Sequence, residues 1–500
     1  MLDRAIAPDW HGLAADLQAD GRLLIDGDWR DASEGETFTS TNPTDGSVIC
    51  DVASATPADV NRAVAVARER FDGGVWSKMH PRDRNKILMR FADLIGQLSA
   101  TFALLDTLEM GKPISEMLSI DVPGSILTVR FMAECIDKVG GACPTNAPGA
   151  LHYIQRQPLG VVGCITPWNY PMMMACWKVA PALAAGNSVV LKPAEDASLS
   201  ALLLGRLFLE AGGPAGVFNV VPGVGATAGK TLASSMQVDR IAFTGSTGVG
   251  RLMYDYASKS NLKRVDAELG GKSPQIILND ARDLQKAAAV VARGIFGNQG
   301  EVCSAGSRIL VQNEIHDQFC DLLKKEAEAF VPGDPLDPGT TMGPLVNRAH
   351  QTKVLSMIDN AAAEGASAFV QGDADVSSPD GCFVSPTLFR NVTNDMTIAQ
   401  QEVFGPVGAV IAHDGIEHAI RLANDSPYGL AAGVWTQNLT SAHTIASELQ
   451  CGMVWINGYM NGDMTQPWGG WKESGHGRDK SMDALLENSQ TKSVWVTLDG

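Results

Sequence analysis

The feature that most restricts the fold is a regular alternation of short apolar runs and longer helical stretches between about residues 160 and 270. GVVGCIT and NSVVLKP predict buried strands, and each is followed by a predicted helix that ends at glycine, MMMACWKVAPALAAG and SLSALLLGRLFLEAGG. VFNVV and RIAFTGS continue the series, with helices predicted at ATAGKTLASS and from near Thr247. This βαβ order predicts a parallel sheet with helices on both faces.

A second α/β region follows the first. ARDLQKAAAVVARGIF predicts an amphipathic helix, SRILVQ a strand and EIHDQFCDLLKKEAEAF another helix, and the alternation continues to about residue 480. The last segment, TKSVWVTLDG, alternates like a strand, and the pattern fits an internal edge strand and a strand added to another subunit equally well. Because 500 residues exceed what one hydrophobic core supports, we expect two or three domains.

The charge and the residue usage exclude several classes of function. A net charge of −17 argues against nucleic-acid and anionic-membrane partners, which both require clustered Lys and Arg. The most apolar run, residues 160–186, is interrupted by prolines and a lysine, and the N-terminus lacks the apolar centre of a signal peptide. Nine dispersed cysteines without a CxxC pair indicate neither a metal site nor a disulfide framework. We therefore expect a soluble, cytoplasmic protein with reduced thiols and no metal.

Two glycine-rich turns within the βαβ region predict phosphate binding. Gly223, Gly225 and Gly229 follow a strand and open a helix, although their spacing is one residue off the usual dinucleotide fingerprint. TGSTGVG, residues 244–250, also joins a strand to a helix whose first N–H groups suit a pyrophosphate. One such turn often reflects tight packing alone, but two in succession favour a dinucleotide site.

Lys192 and Glu195, in LKPAE, lie at the carboxyl end of a predicted parallel strand, where both can reach a ribose. Glu195 would accept from the 2′- and 3′-hydroxyls and repel a 2′-phosphate, which favours NAD over NADP. The alternative is a surface Lys–Glu pair of little energetic value.

One cysteine differs from the others in its surroundings. In NQGEVCSAGSR, Cys303 lies among polar, flexible residues, whereas the other cysteines are best interpreted as small buried apolar residues. A thiol is a weak nucleophile at neutral pH unless its environment favours the thiolate. Glu268, in ELGGKSP, would serve as a general base toward the thiol or a water, although the sequence alone does not bring the two residues together.

Six motifs occur in the order and spacing of the NAD(P)-dependent aldehyde dehydrogenase superfamily: PWNY, LKPAE, FTGSTGVG, ELGGKSP, NQGEVCSAGSR and EVFGP. The chain resembles this superfamily from LIDGDWR near its start to PWGGWKESGHGRD near its end. The resemblance implies an α/β aldehyde dehydrogenase-like fold with a Rossmann-type parallel sheet, a second α/β catalytic domain and a small β oligomerisation element. The implied NAD-binding domain covers residues 1–139 and 160–269, the catalytic domain 270–479, and the element 140–159 with 480–500. A homodimer or homotetramer built through that element is expected, which favours the intersubunit role for the last strand.

The resemblance also implies the roles of individual residues. Cys303 matches the nucleophile that forms a thiohemiacetal and then a thioester, and Asn169 with the Cys303 N–H matches the oxyanion hole. Glu268 matches the base that activates water. Lys178 and Asp479 match a proton relay, with Asp479 replacing the commoner Glu. NAD contacts are implied at Thr166, Trp168, Lys192, Glu195, Gly225, Gly229, Phe243, Gly245, Ser246, Leu269, Glu402 and Phe404.

The implied substrate pocket contains Asp121, Tyr170, Met174, Trp177, Gly297 and Trp468. The aromatic residues offer a cation–π lining and Asp121 a partner for an ammonium, although aromatic residues also line apolar tunnels that discriminate little. Many relatives carry a bulky aromatic where this chain has Gly297, so a wide tunnel is expected. DVPGS and NGDMTQPWGGWKESGHGRDKS most resemble the γ-glutamyl-γ-aminobutyraldehyde dehydrogenases of putrescine breakdown, which accept ω-aminoaldehydes.

Three other functions remain as alternatives. A broad-specificity aliphatic and aromatic aldehyde dehydrogenase would share the same motifs. The CoA-acylating branch of the superfamily usually lacks the glutamate that Glu268 matches, and a non-enzymatic relative would have lost the nucleophile or the base.

Overall fold

A computed structural model describes residues 8–145, 148–372 and 379–498. Its strands are β1 Leu23–Ile25, β2 Asp28–Arg30, β3 Thr37–Thr41, β4 Val48–Ala53, β5 Ala150–Pro158, β6 Val161–Ile165, β7 Ser188–Lys192, β8 Phe218–Val220, β9 Arg240–Thr244, β10 Arg264–Glu268, β11 Pro274–Ile277, β12 Arg308–Gln312, β13 Ser367–Gln371, β14 Thr387–Arg390, β15 Val407–His413, β16 Tyr428–Gly429, β17 Ala431–Trp435, β18 Met453–Ile456, β19 Trp471–Lys472 and β20 Ser489–Thr497.

The α-helices are α1 Trp10–Ala15, α2 Pro57–Gly73, α3 Pro81–Gln97, α4 Ser99–Met110, α5 Ile114–Glu116, α6 Val122–Cys135, α7 Pro171–Ala184, α8 Leu199–Glu210, α9 Lys230–Ser234, α10 Thr247–Ser258, α11 Leu284–Phe296, α12 His316–Ala327, α13 Arg348–Ala363, α14 Thr397–Gln400, α15 Ile416–Asn424, α16 Leu439–Glu448 and α17 Ser481–Glu487. Single π-helical turns cover Met117–Asp121 and Gly225–Gly229, and 3₁₀ turns cover Ile136–Lys138, Gly297–Gly300 and Asn313–Ile315.

The first sheet has the strand order β10-β9-β6-β7-β8-β1-β2. Strands β6 to β10 run parallel, and the antiparallel hairpin β1–β2 closes one edge. Apolar residues of α3, α4, α6, α7 and α8 form the core on one face, and residues of α2, α9 and α10 form the core on the other. The predicted parallel sheet with helices on both faces is confirmed. The helix predicted at ATAGKTLASS is shorter, because the turn at residues 225–229 is π-helical and only α9 continues it.

The second sheet has the order β13-β14-β15-β12-β11-β17-β18, in which only β13 is antiparallel to its neighbour. It too carries an apolar core on each face. The second α/β region predicted from the sequence is therefore a second mainly parallel sheet, while the residue bounds of the domains stay a prediction.

The last strand, β20, pairs antiparallel with β5 over the whole length of both strands, from Ser489 opposite Pro158 to Thr497 opposite Ala150. The segment before β5 folds back onto it through a bridge between Ala142 and Ile154. The two-stranded element expected from the sequence is present, and its role in assembly stays a prediction.

Among the described residues, no helix taken alone has the length and apolarity needed to cross a membrane. Only α3 and α4 taken together reach that length and composition, and their axes differ by 69°.

The topology brings the predicted site residues to one edge of the first sheet. Strands β7, β9 and β10 end at Lys192, Thr244 and Glu268. Since these strands are parallel, their carboxyl ends open on the same crevice, which is where open α/β sheets bind ligands.

Candidate active site

The turn that carries the candidate nucleophile has an unusual backbone. After α11 ends at Phe296, Asn298, Gln299 and Gly300 follow one another in the left-handed region, with φ of 49°, 55° and 75°. A Cβ at Gly300 would overlap the carbonyl of Gly405, so this position requires glycine. The chain thereby reverses before β12 and presents Cys303 to a cavity of about 350 Å³.

Asn169 lies on the same cavity and is only 5% exposed. Asn169 Nδ2 donates to the Glu301 backbone carbonyl over 2.8 Å. The backbone carbonyl of Asn169 accepts from Asn298 Nδ2 over 3.0 Å. A side-chain amide has two N–H groups, so one remains for a ligand. The Cys303 backbone N–H donates to no main-chain carbonyl in the part of the chain that the structure describes. These two donors suit an oxygen that gains negative charge next to the sulfur.

Glu268, the last residue of β10, is 4% exposed and also lines the cavity. Neither of its carboxylate oxygens has a hydrogen-bond partner within residues 8–145, 148–372 and 379–498. Burial, and after it the negative charge of Asp479, raises the pKa of Glu268 well above its ordinary value. A carboxyl with a raised pKa keeps its proton to higher pH than an ordinary glutamate, and it takes a proton from water only after losing its own.

Lys178 and Asp479 form a buried ion pair, with Nζ and Oδ2 2.6 Å apart. The two charges act on Glu268 in opposite directions, since Asp479 raises its pKa and Lys178 lowers it. Asp479 also lines the cavity. The pair is therefore placed to tune the proton affinity of the base, while a relay of protons through it stays a prediction.

The surroundings of Cys303 favour the thiol over the thiolate. Burial, followed by the charges of Glu402 and Glu268, raises its pKa to about 12. Attack on a carbonyl therefore requires that the sulfur lose its proton during the reaction.

Glu402 and two glycines shape the region between the thiol and the first sheet. Glu402 Oε1 accepts from the Gly271 N–H over 2.8 Å, and a Cβ at Gly271 would lie 2.5 Å from the Cys303 carbonyl. A Cβ at Gly270 would overlap the Glu402 carboxylate. The glycine pair of ELGGKSP thus allows the turn of Cys303 and the Glu402 carboxylate to approach the backbone that follows β10.

Lys192 and Glu195 form an anchored carboxylate at a distance from the thiol. Lys192 Nζ lies 2.6 Å from Glu195 Oε2, and the Gly225 N–H donates to Glu195 Oε1 over 2.7 Å. Burial would raise the pKa of Glu195, but the charge and hydrogen bond of Lys192 and the Gly225 N–H outweigh it and lower this pKa. Glu195 is therefore ionised at neutral pH and would repel a 2′-phosphate.

Comparison with known proteins identifies the family. The model of the aldehyde dehydrogenase family matches residues 29–494. The chain belongs to the aldehyde dehydrogenase family. It is 44% identical to the NADP/NAD-dependent aldehyde dehydrogenase PuuC of Escherichia coli (strain K12) over 490 residues, 98% of each chain.

Two solved structures are similar to this aldehyde dehydrogenase over its whole fold. The γ-glutamyl-γ-aminobutyraldehyde dehydrogenase of Burkholderia cenocepacia J2315 has a TM-score of 0.96 at 48% identity, with 98% of this chain and 99% of that one covered. The indole-3-acetaldehyde dehydrogenase AldA of P. syringae, in complex with NAD⁺ and IAA, has a TM-score of 0.97 at 47% identity and the same coverage. This chain is thus an NAD(P)-dependent aldehyde dehydrogenase that acts on small-molecule aldehydes.

The residues at the crevice of this aldehyde dehydrogenase fit NAD. The buried Thr244 hydroxyl has no hydrogen-bond partner among the described residues. A Cβ at Gly245 would lie 2.6 Å from the ring of Phe243, so this position favours glycine. Without a side chain at Gly245, a pyrophosphate can approach the backbone at the start of α10. There the Ser246 hydroxyl accepts from the Val249 N–H. Six predicted NAD residues line the cavity of Cys303, namely Trp168, Gly245, Ser246, Leu269, Glu402 and Phe404. The other six lie outside its lining: Thr166, Lys192, Glu195, Gly225, Gly229 and Phe243.

Four of the six predicted substrate residues line the cavity: Tyr170, Met174, Trp177 and Trp468. The rings of Trp177 and Trp468 meet edge to face, with centroids 5.6 Å apart. Gly297 lies outside the lining, so its effect on the width of the tunnel stays a prediction.

The structure does not bring Asp121, the predicted partner of a substrate ammonium, to the lining of the cavity. Asp121 is fully buried, and its Oδ2 lies 2.6 Å from Nζ of Lys112, a buried internal cation. The same ammonium lies 3.9 Å from the ring centroid of Tyr170 and so occupies the cation–π position there. On the π-helical turn, the preceding residue Ile120 faces the cavity instead.

Sequence reasoning missed several lining residues that belong to the segment after β18 or follow Asp479. The segment contains two left-handed residues, Asn457 and Met460, and this irregular backbone has no periodic signal. Lys480 directly follows Asp479, which the sequence motifs had already identified as a site residue. Its position next to a site residue was the available signal. The missed lining residues of these two places include Met460, Asn461, Gln466 and Lys480, and Met173 on α7 and Met453 on β18 were missed as well.

Proposed function

We propose that this aldehyde dehydrogenase oxidises an ω-aminoaldehyde, with γ-glutamyl-γ-aminobutyraldehyde as the type substrate, to the carboxylic acid through a thioester on Cys303. The observation that carries the proposal is that Cys303, Asn169 and Glu268 line one cavity together with Trp177 and Trp468. The similarity to a γ-glutamyl-γ-aminobutyraldehyde dehydrogenase supports the choice of substrate.

In the first half of the reaction, the Cys303 sulfur bonds to the aldehyde carbon as the thiol proton passes to the ionised Glu268 carboxylate, which then releases it to solvent. Asn169 Nδ2 and the Cys303 N–H donate to the resulting oxyanion of the thiohemiacetal. The acceptor for the hydride of this carbon would be supplied by bound NAD.

In the second half, Glu268 takes a proton from a water as the water attacks the thioester carbonyl. The same two donors hold the oxygen that becomes negative, and the carbon–sulfur bond breaks to give the acid and free Cys303. Glu195 supports NAD as the preferred cofactor, because its carboxylate is ionised where a 2′-phosphate would have to bind.

A second candidate is a broad-specificity aldehyde dehydrogenase. The methionines and tryptophans of the lining favour it, because apolar side chains discriminate weakly between aldehydes of similar size.

A substrate panel separates the two candidates. NADH formation is measured without CoA for γ-glutamyl-γ-aminobutyraldehyde, 4-aminobutanal and neutral aldehydes of equal length. We expect the γ-glutamyl compound to have the highest kcat/KM, and Cys303→Ala to abolish turnover while NAD binding persists. Equal values for the neutral aldehydes would favour the second candidate, and turnover by Cys303→Ala would refute the thioester route.

We also propose a cytoplasmic homodimer or homotetramer built through β5 and β20. The 61% exposure of Trp495 and the 62% exposure of Leu498 support this proposal, because a large apolar side chain gains by burial against another subunit. Analytical ultracentrifugation of the full chain and of Trp495→Ser is the test, and a wild-type monomer would refute it.

A further inference from the structure

One cation at the outer end of the cavity has no role in the chemistry described so far. Lys480 lines the cavity beside Asn461 and Gln466, and the exposure of Asn461 places this end near solvent. No carboxylate lies within ion-pair distance of its ammonium in the described residues, and Asp463 attracts it only from farther away. Its Nζ lies 5.7 Å from the ring centroid of Trp177.

The acidic residues of the cavity are engaged or belong to the reaction itself. Asp479 pairs with Lys178, and Glu402 accepts from the Gly271 N–H. Glu268 is the buried base. The cavity therefore presents at its outer end a positive charge without a nearby counter-charge.

The backbone holds Lys480 in this place at a cost. Lys480 and Ser481 have positive φ of 61° and 48°, a backbone region that residues other than glycine rarely adopt. The preceding residue, Asp479, exchanges two backbone hydrogen bonds of 2.8 Å with Trp468, and Ser481 N donates to the Met464 carbonyl over 2.7 Å. These contacts fix Lys480 next to Trp177, which meets Trp468 edge to face. Strained backbone that positions one side chain in a ligand cavity points to a function of that side chain.

We propose that Lys480 is a specificity-determining residue that binds a carboxylate at the end of the substrate remote from the aldehyde. The inference rests on the proposed function and narrows its substrate class to aldehydes that carry a distal anion. A γ-glutamyl aldehyde carries such a carboxylate beside its α-ammonium, whereas a free ω-aminoaldehyde carries an ammonium alone and would be repelled. Asn461 and Gln466 offer neutral amide groups for the remaining polar atoms of the chain.

Partial burial supports this assignment. Burial lowers the pKa of Lys480 and the attraction of Asp463 offsets only part of this effect, so the ammonium gains from an anion that enters the cavity. A hydrogen bond to a charged group is strong enough that its loss lowers kcat/KM by about 10- to 100-fold. We expect the change mainly in KM, because the contact is made before and during the reaction alike.

The test uses the full-length enzyme with NAD and pairs of aldehydes that differ in one group. Each pair consists of a carboxylate and the matching carboxamide. The first pair is γ-glutamyl-γ-aminobutyraldehyde and the same compound with its α-carboxylate replaced by a carboxamide. The other pairs are ω-carboxyaldehydes of increasing length and their ω-carboxamides. The variants are Lys480→Gln, Lys480→Arg and Lys480→Glu, and the exposed Lys86, on α3, gives the matched control Lys86→Gln.

We expect the wild type and Lys86→Gln to prefer the carboxylate of a pair by about 10- to 100-fold, Lys480→Gln to lose this preference and Lys480→Arg to keep most of it. Lys480→Glu should favour 4-aminobutanal over the carboxylates. An equal loss on both members of a pair would make Lys480 a structural residue and overturn the inference, and so would an unchanged preference in Lys480→Gln. A wild type without preference would overturn it as well.

Failure of the proposed function is distinguishable in the same data. Selection of ω-carboxyaldehydes through Lys480, with the γ-glutamyl compound a poor substrate, would refute that type substrate and uphold the inference. Efficient oxidation of the γ-glutamyl compound by the wild type and by every Lys480 variant would uphold that type substrate and refute the role of Lys480.

Discussion

The buried pair of Lys112 and Asp121 makes a prediction that separates a structural role from a role in substrate choice. The two side chains are 1% and 0% exposed, with Nζ and Oδ2 2.6 Å apart. Burial raises the pKa of Asp121 to about 6 against the attraction of Lys112, so its carboxylate is ionised at pH 7.5. Asp121→Ala would leave the Lys112 ammonium buried without its anion, which costs about 3–5 kcal/mol of folding free energy.

The assay compares thermal midpoints at pH 7.5 for the wild type, Asp121→Ala and the double variant Lys112→Met/Asp121→Ala. We expect a midpoint several degrees lower for the single variant and recovery of most of the loss in the double variant, because removal of both charges leaves no unpaired ion. Asp83→Ala is the matched control, since its pair with Lys86 is exposed and its loss should not change the midpoint measurably.

The same variants decide the role of Asp121 in catalysis. Because Asp121 does not line the cavity, the ratio of kcat/KM for 4-aminobutanal to that for a neutral aldehyde of equal length should be the same in Asp121→Ala and wild type. The reasoning is refuted by a selective loss of 4-aminobutanal oxidation, or by a thermal midpoint that Asp121→Ala leaves unchanged.

Three further predictions concern the base, the thiol turn and the cofactor. The kcat of the wild type should rise with pH as Glu268 loses its proton. Asp479→Asn should move this rise to lower pH, because the charge of Asp479 is, after burial, the largest cause that raises the pKa of Glu268. A pH profile of kcat that is the same in Asp479→Asn and wild type would contradict this. Gly300→Ala should lower both the thermal midpoint and kcat, the latter at least about 10-fold, because the new Cβ overlaps a backbone carbonyl in a left-handed conformation. Gly73→Ala, where a Cβ has open space, is its control, and equal behaviour of the two variants would refute the argument. Glu195→Gln should raise kcat/KM for NADP relative to NAD by about 10-fold, measured by NADH and NADPH formation at equal aldehyde concentration, and an unchanged ratio would remove Glu195 as the residue that excludes the phosphate.

The parallel sheets were predictable because their strands are buried on both faces and appear as continuous apolar runs between helical repeats. GVVGCIT and NSVVLKP correspond to β6 and β7 within a residue or two at each end. The turn at residues 225–229 was not predictable as a π-helix, because its composition also suits an ordinary helix start. The reversal at residues 298–300 likewise leaves no trace in periodicity, although it decides where the thiol lies.

The candidate site was predictable where function needs particular residue types at fixed strand ends. Glu268 and Cys303, distant in sequence, meet at one cavity as the resemblance implied. The placement of Asp121 away from the cavity was not predictable, because aligned positions do not show which side of an irregular helical turn faces the cavity. Lys480 was missed because its only signal in the sequence is that it follows Asp479, and this adjacency does not show that its side chain faces the cavity.

The pairing of β20 with β5 has a consequence for how this protein is made. The partner of the last strand lies more than three hundred residues earlier in the chain, so the pair can form only when synthesis is almost complete. Until then one edge of β5 presents unpaired backbone groups, which recruit strands from other chains. A polypeptide that stops short of Ser489 would leave that edge permanently open. Premature termination near the end of the gene should therefore yield aggregated protein rather than a slightly shortened enzyme.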